Sequence, residues 1–110
     1  MERDYIYIIG NDKGYIKVGV SKHPAKRIKQ LQTGNAQKLA LLFTEEFKCT
    51  RKHLLHIENA IHKQLKQMAE HCEGEWFYID PIKMDSIKNI LTFYRIRYEE
   101  DLTAFDKRYN

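Results

Sequence analysis

Two cysteines, two prolines, one tryptophan and five glycines are all that this chain of 110 residues holds of those types. Cys49 and Cys72 stand far apart in no CxxC pair, which argues against a disulfide framework or a zinc ribbon and fits packing residues in a reducing compartment. No segment approaches the roughly 20 consecutive apolar residues of a membrane helix, so a soluble chain is expected. There is no repeat, low-complexity tract or linker, and the length suits one modest core rather than two. The opening Met1-Glu2-Arg3-Asp4 has neither the apolar stretch nor the small-residue cleavage site of a signal peptide, and the location expected by default is cytoplasmic.

What is present is globular in kind: 43% hydrophobic residues, with seven Tyr and five Phe. The net charge of +4 is unevenly spread, since residues 1–66 carry a net +7 and residues 67–110 a net −3. A basic front half is the footprint of a surface that meets a polyanion, although an ordinary solvated face has the same composition.

Tyr5 to Ile9 and Tyr15 to Val20 are rich in β-branched and aromatic residues, and Gly10-Asn11-Asp12-Lys13-Gly14 between them supplies turn chemistry. A β-hairpin with a five-residue loop is predicted. Ile6 and Ile8 alternate with Tyr5, Tyr7 and Ile9, while Ile16, Val18 and Val20 alternate with Tyr15, Lys17 and Gly19. Pairing the two aliphatic sets fixes the register, because a slip of one residue would put Lys17 among them. Tyr5, Tyr7 and Lys17 then share a face.

Ser21 and Pro24 open a short helix with Ala25, Ile28 and Leu31 in one stripe, stopped at Thr33-Gly34-Asn35 and decorated by Lys22, Lys26, Arg27 and Lys29. Leu39 to Phe47 predicts a third strand. From Arg51 to about His71 the stripe Leu54, Ile57, Ile61, Leu65 and Met68 predicts a helix. Gly74 to Ile79 reads as one short extended segment, and Asp80-Pro81 as the cap of a last helix running to about Glu99 with Met84, Ile87, Leu91 and Tyr94 on one side. The remaining tail, with Leu102 and Phe105, is expected to pack loosely. The expected fold is α+β, an α/β/α sandwich with a small central antiparallel sheet of three strands. Residues 1–80 would form its core, and residues 81–110 an added helix and tail on the same domain.

On the wheel of the long helix Glu58 falls inside the apolar sector. A carboxylate turned toward a core is costly unless it is paired, solvated or bound to a cation. Three arrangements accommodate it: an ion pair with Arg27 or another base, a position at the sector edge in reach of water, or a cavity where it binds Mg²⁺ or a similar hard cation beside phosphate oxygens. His62, one turn later, is either a general base in that cavity or a helix histidine bonded to a backbone carbonyl. His23, His53, His56 and His71 with Cys72 match no standard zinc finger. Trp76 is either core or, with the last helix, a protein-binding face.

Taken in order, several elements resemble the GIY-YIG nuclease superfamily, and within it the phage-type DNA-binding subgroup. Tyr5-Ile6-Tyr7 stands where that family has Gly-Ile-Tyr, and Lys17-Val18-Gly19 where it has Tyr-Ile-Gly. Arg27 follows Gly19 by eight positions as the family arginine does, Ile57-Glu58-Asn59-Ala60-Ile61-His62 is similar to the segment with the metal-binding glutamate, and Gly74-Glu75-Trp76-Phe77 to the subgroup's closing motif. The resemblance covers roughly residues 5–79. It implies a DNA endonuclease dependent on one divalent cation, Mg²⁺ or Mn²⁺, and a viral or mobile-element origin.

In that reading Glu58 holds the metal, Arg27 stabilises charge on the phosphorane, and Tyr7 positions or activates the attacking water or serves as base. His62 stands with them at the centre and Lys17 assists, while Tyr5, Gly19, Lys22, Lys26 and Lys29 meet the nucleic acid. The chain departs from the pattern at Lys17, which replaces the second tyrosine, and at Leu31, where many members have histidine or tyrosine. Lys17 would bind phosphate or favour ionised Tyr7 by its nearby charge rather than replace the phenol outright. The alternative is a catalytically inactive nucleic-acid-binding module of the same fold, with the lysines on phosphates and Tyr5 or Tyr7 against bases or sugar.

Overall fold

In the computed structural model residues 3–109 are described, with side chains for residues 3–97. Strands β1 (Arg3–Asn11) and β2 (Tyr15–Ser21) form the hairpin, followed by α1 (Pro24–Thr33), β3 (Leu39–Lys48) and α2 (Arg51–Met68). The strands β4 (His71–Glu73) and β5 (Trp76–Tyr78), a 3₁₀ turn at Pro81–Lys83 and α3 (Met84–Tyr109) complete the order.

The hairpin has the expected register: Ile6 lies opposite Val20, Ile8 opposite Val18, Tyr7 opposite Gly19 and Ile9 opposite Lys17. Its loop is shorter than predicted. Gly10 and Asn11 stay in β1, leaving Asp12-Lys13-Gly14 as the turn. Asn11 explains this, since its Oδ1 accepts from the backbone N–H groups of Lys13 and Tyr15 at 3.0 Å each, while Gly14 takes φ +89°.

The sheet has five antiparallel strands in the order β3-β1-β2-β5-β4, not three. The predicted single segment at Gly74–Ile79 is half of a second hairpin, in which Glu73 pairs with Trp76 around the two-residue turn Gly74-Glu75. Gly74 at φ +61° supplies the left-handed backbone such turns require. The strand before it was hidden because α2 ends at Met68, three residues early: Ala69 turns extended, with φ −74° and ψ 138°, and releases His71–Glu73 to pair.

Helices cover both faces. Ile6, Ile8, Ile16 and Val18 pack with Leu54, Ile57, Ile61 and Leu65 of α2 and with Ile87 and Leu91 of α3 in one buried cluster. On the other face Tyr7, Ile9 and Leu39 pack under Ile28 and Leu31 of α1 and against Trp76. Leu31 is therefore a packing residue here. Thr50 caps α2 by accepting the His53 N–H, and Asp80 accepts the Ile82 N–H ahead of α3. The helix α3 runs past the expected end at Glu99 to Tyr109, and the expected packing of Leu102 and Phe105 lies outside the described side chains.

Because Leu91 is fully buried in the same cluster as Ile6 and Leu54, α3 belongs to the common core. Leu91→Ala is expected to cost about 2–5 kcal/mol and to keep a single cooperative transition in urea. Two separable transitions would contradict a shared core.

Candidate active site and nucleic-acid interface

Strand β5 pairs with β2 only at Tyr15 and Ile16, so no strand partner follows along that edge from Lys17 to Ser21. Helix α2 crosses there instead. His62 Nε2 lies 2.9 Å from the Val18 carbonyl oxygen, taking the bond that a neighbouring strand would have made. A carbonyl only accepts, so Nε2 carries the hydrogen, and Nδ1 is the ring nitrogen not engaged in that bond. The backbone-bonded histidine foreseen as one alternative is thus the observed arrangement, and it fixes the ring beside Phe77, with centroids 6.0 Å apart.

Glu58 sits half-buried one turn earlier on the same face. Burial pushes its carboxyl above the ordinary glutamate value; His62 draws it back, Glu75 raises it further, and Arg51 and Lys17 lower it. Arg27 is not among those charges. A Glu58–Arg27 ion pair, one of the arrangements open from the sequence, does not form, since Arg27 lies exposed on α1 with Nη1 3.5 Å from Gln30 Oε1. Lys17, with a side chain only 18% exposed, reaches Glu75 Oε2 at 3.0 Å across the tip of the β4–β5 turn. That bond holds the Glu75 carboxyl below its ordinary value.

Tyr7 lies across Gly19 and is 3% exposed. A Cβ on Gly19 would fall 2.4 Å from the Tyr7 hydroxyl oxygen and 2.5 Å from its Cζ. Gly19 lacks a positive φ; what requires glycine is the close approach of the ring. Its place is under the tyrosine, with its backbone buried.

Beyond the free edge of β2 is a recess of about 500 Å³ lined by Val20, Ser21, Lys22, Arg27 and Arg51. Tyr5 joins Lys22 and Lys26 in an adjoining shallow hollow, and Lys29 is exposed outside both. The structure therefore gathers Glu58, His62 and Lys17 at the edge of β2, and Arg27, Lys22, Lys26 and Tyr5 around the neighbouring recess. Arg51 belongs to both neighbourhoods, lining the recess and acting on Glu58.

Sequence reasoning missed Arg51, Asp4 and the Lys17–Glu75 pair. For Arg51 the available signal was its spacing of seven from Glu58, two helical turns on one face. Among the described residues no three His, Cys, Asp or Glu side chains gather as a ligand cluster. A divalent ion would rest on Glu58 as one protein carboxylate, which suits Mg²⁺, a cation that takes one or two carboxylates and completes its shell with water and phosphate oxygens. The desolvated carboxylate, with no hydrogen bond or ion pair to another described residue, fits such a group.

The domain is therefore α+β, a five-stranded antiparallel sheet with a half-buried carboxylate at the open edge of β2 next to a recess lined by Lys22, Arg27 and Arg51. Residues 4–95 match the T5orf172 domain. The chain belongs to that family, a phage-associated domain connected with nuclease activity. Comparison with curated proteins and with solved structures returned no match. Among the described residues no helix is long and apolar enough to cross a membrane.

Proposed function

We propose that this domain is a GIY-YIG-type endonuclease that hydrolyses DNA phosphodiester bonds with one divalent cation, Mg²⁺ or Mn²⁺. The observation that carries the proposal is the desolvated, unpaired Glu58 at the open edge of β2, flanked by His62 and by cations that face away from the core. Bound at Glu58, the cation would polarise a phosphoryl oxygen and supply charge where the transition state develops it.

The chain's own groups divide the remaining work. Arg27, Lys22, Lys26 and Lys29 hold the phosphate backbone, and Arg27 meets charge that grows on the nonbridging oxygens. His62 accepts the proton of the attacking water at Nδ1, since Nε2 is committed to Val18. Tyr7, fixed by packing over Gly19, orients that water through its hydroxyl. Lys17, tied to Glu75, balances charge beside Glu58.

One observation favours the second reading, an inactive binding module. Lys17 occupies the position of a second tyrosine and is spent on an ion pair. Labelled single- and double-stranded DNA incubated with Mg²⁺, Mn²⁺ or EDTA separates the two. Cutting that EDTA abolishes is the expected result; binding without cutting under all three conditions would move the assignment to the binding module.

A further inference from the structure

We propose that Arg51, anchored by the buried carboxylate of Asp4, is a second phosphate-binding guanidinium that grips nucleic-acid backbone at the recess it shares with Arg27 and Lys22. The inference rests on the domain's being a nucleic-acid-binding one, but not on its cutting DNA.

The pair is an odd structural device. Asp4 lies in β1 with its side chain 2% exposed, and Arg51 is the first residue of α2. An arginine at a helix N-terminus opposes the helix dipole, so helix stability does not account for it. Burying a carboxylate to pair it rarely improves on an apolar contact of the same volume. The geometry supplies another reason. Nη1 alone serves both Asp4 oxygens, at 2.7 and 2.6 Å. The guanidinium has five N–H groups, and its other three, on Nε and Nη2, are left to point elsewhere.

The arginine side chain is 47% exposed and lines the same recess as Arg27 and Lys22. A planar donor edge held by a buried acid, with two further cations around one hollow, is the arrangement that receives a phosphodiester in bidentate fashion. Two turns separate Arg51 from Glu58, about 10.5 Å along the helix axis. Arg51 is thus placed for a phosphate apart from any group bound at Glu58, and Asp4 is its positioning residue.

The test is DNA binding in EDTA, by fluorescence anisotropy of a labelled duplex over a range of salt. Arg51→Ala alone would strand the Asp4 charge in the interior, so the informative variant is Asp4→Asn/Arg51→Gln, which leaves the net charge of the chain unchanged. Its Kd is expected to rise about tenfold, the loss of charged hydrogen bonds to one phosphate. The dependence of log Kd on log salt is expected to fall by about 0.9, one contact's worth. Arg51→Lys preserves the ion pair and the fold but offers no planar edge, and is expected to weaken binding in the same direction by about threefold. Thermal unfolding of each variant verifies that it is folded.

Wild-type Kd and salt slope in both folded variants would overturn the inference. If the wild type also cuts DNA and Glu58→Gln does not, the nuclease reading survives that failure. Arg51-dependent binding without any cutting would do the reverse, retaining this site and removing the nuclease.

Discussion

Replacing Gly19 with alanine is expected to destabilise the domain by about 1–3 kcal/mol, the ordinary range for forcing an extra carbon into a packed site. The new Cβ would lie 2.4 Å from the Tyr7 hydroxyl oxygen, 2.5 Å from Cζ and 3.0 Å from Cε2. The ring has no easy retreat, because Ile9, Leu39, Ile28, Leu31 and Trp76 surround it. It must move outward or push its neighbours aside. Either response shifts the phenol from where the proposed mechanism needs it, and a displacement near 1 Å commonly costs about 10²-fold in rate. Urea unfolding and initial cleavage rates measure the two effects separately. In a Tyr7→Ala background the same alanine should cost much less stability, since the atoms it strikes are gone. Equal costs in both backgrounds would show that the tyrosine does not dictate the glycine.

Glu58→Gln is expected to act in opposite directions on activity and stability. Cleavage should fall by about 10²–10³-fold or more, as when a group facing developing charge is removed. Stability without metal should rise at pH 7, because burial holds the Glu58 carboxyl above its ordinary value of 4.5. Between the unfolded value and the raised folded one the native state carries more protons than the unfolded chain, so its stability falls as pH climbs through that window. Glutamine removes the burden. In EDTA the variant should therefore melt above the wild type at pH 7, with the gap closing below pH 4.5. Glu75, whose carboxyl is lowered by Lys17, works in the other sense and contributes stability that is lost on acidification. Its bond to Lys17 is present in both proteins, while its repulsion of Glu58 is relieved only in the variant and adds to the same gap. A variant that melts lower than the wild type at pH 7 would mean that Glu58 is a structural partner.

How much of this was legible depended on sequence distance. The β1–β2 register could be read because Lys17 has no place among Ile6, Ile8, Ile16 and Val18. The α2 stripe, and Glu58 within its sector, followed from spacing alone. The β4–β5 hairpin did not, because His71-Cys72-Glu73 continues the polar mix of the α2 end and becomes strand only by pairing with Trp76–Tyr78. The place of His62 was equally hidden. Its partner at Val18 exists because β5 stops pairing after Ile16, a consequence of where the Gly74-Glu75 turn falls. Asp4 and Arg51 are 47 residues apart and look in sequence like two surface charges. Only the packing of the α2 start against β1 turns them into a buried pair.

The most direct measurement is the initial rate of cleavage of one labelled duplex in Mn²⁺ by wild type and Glu58→Gln, both shown by thermal unfolding to be folded. The proposed mechanism predicts cutting by the wild type, abolished by EDTA and by the substitution, in a variant at least as stable as its parent. Equal cutting by the two proteins, or none by either alongside tight binding, would contradict it.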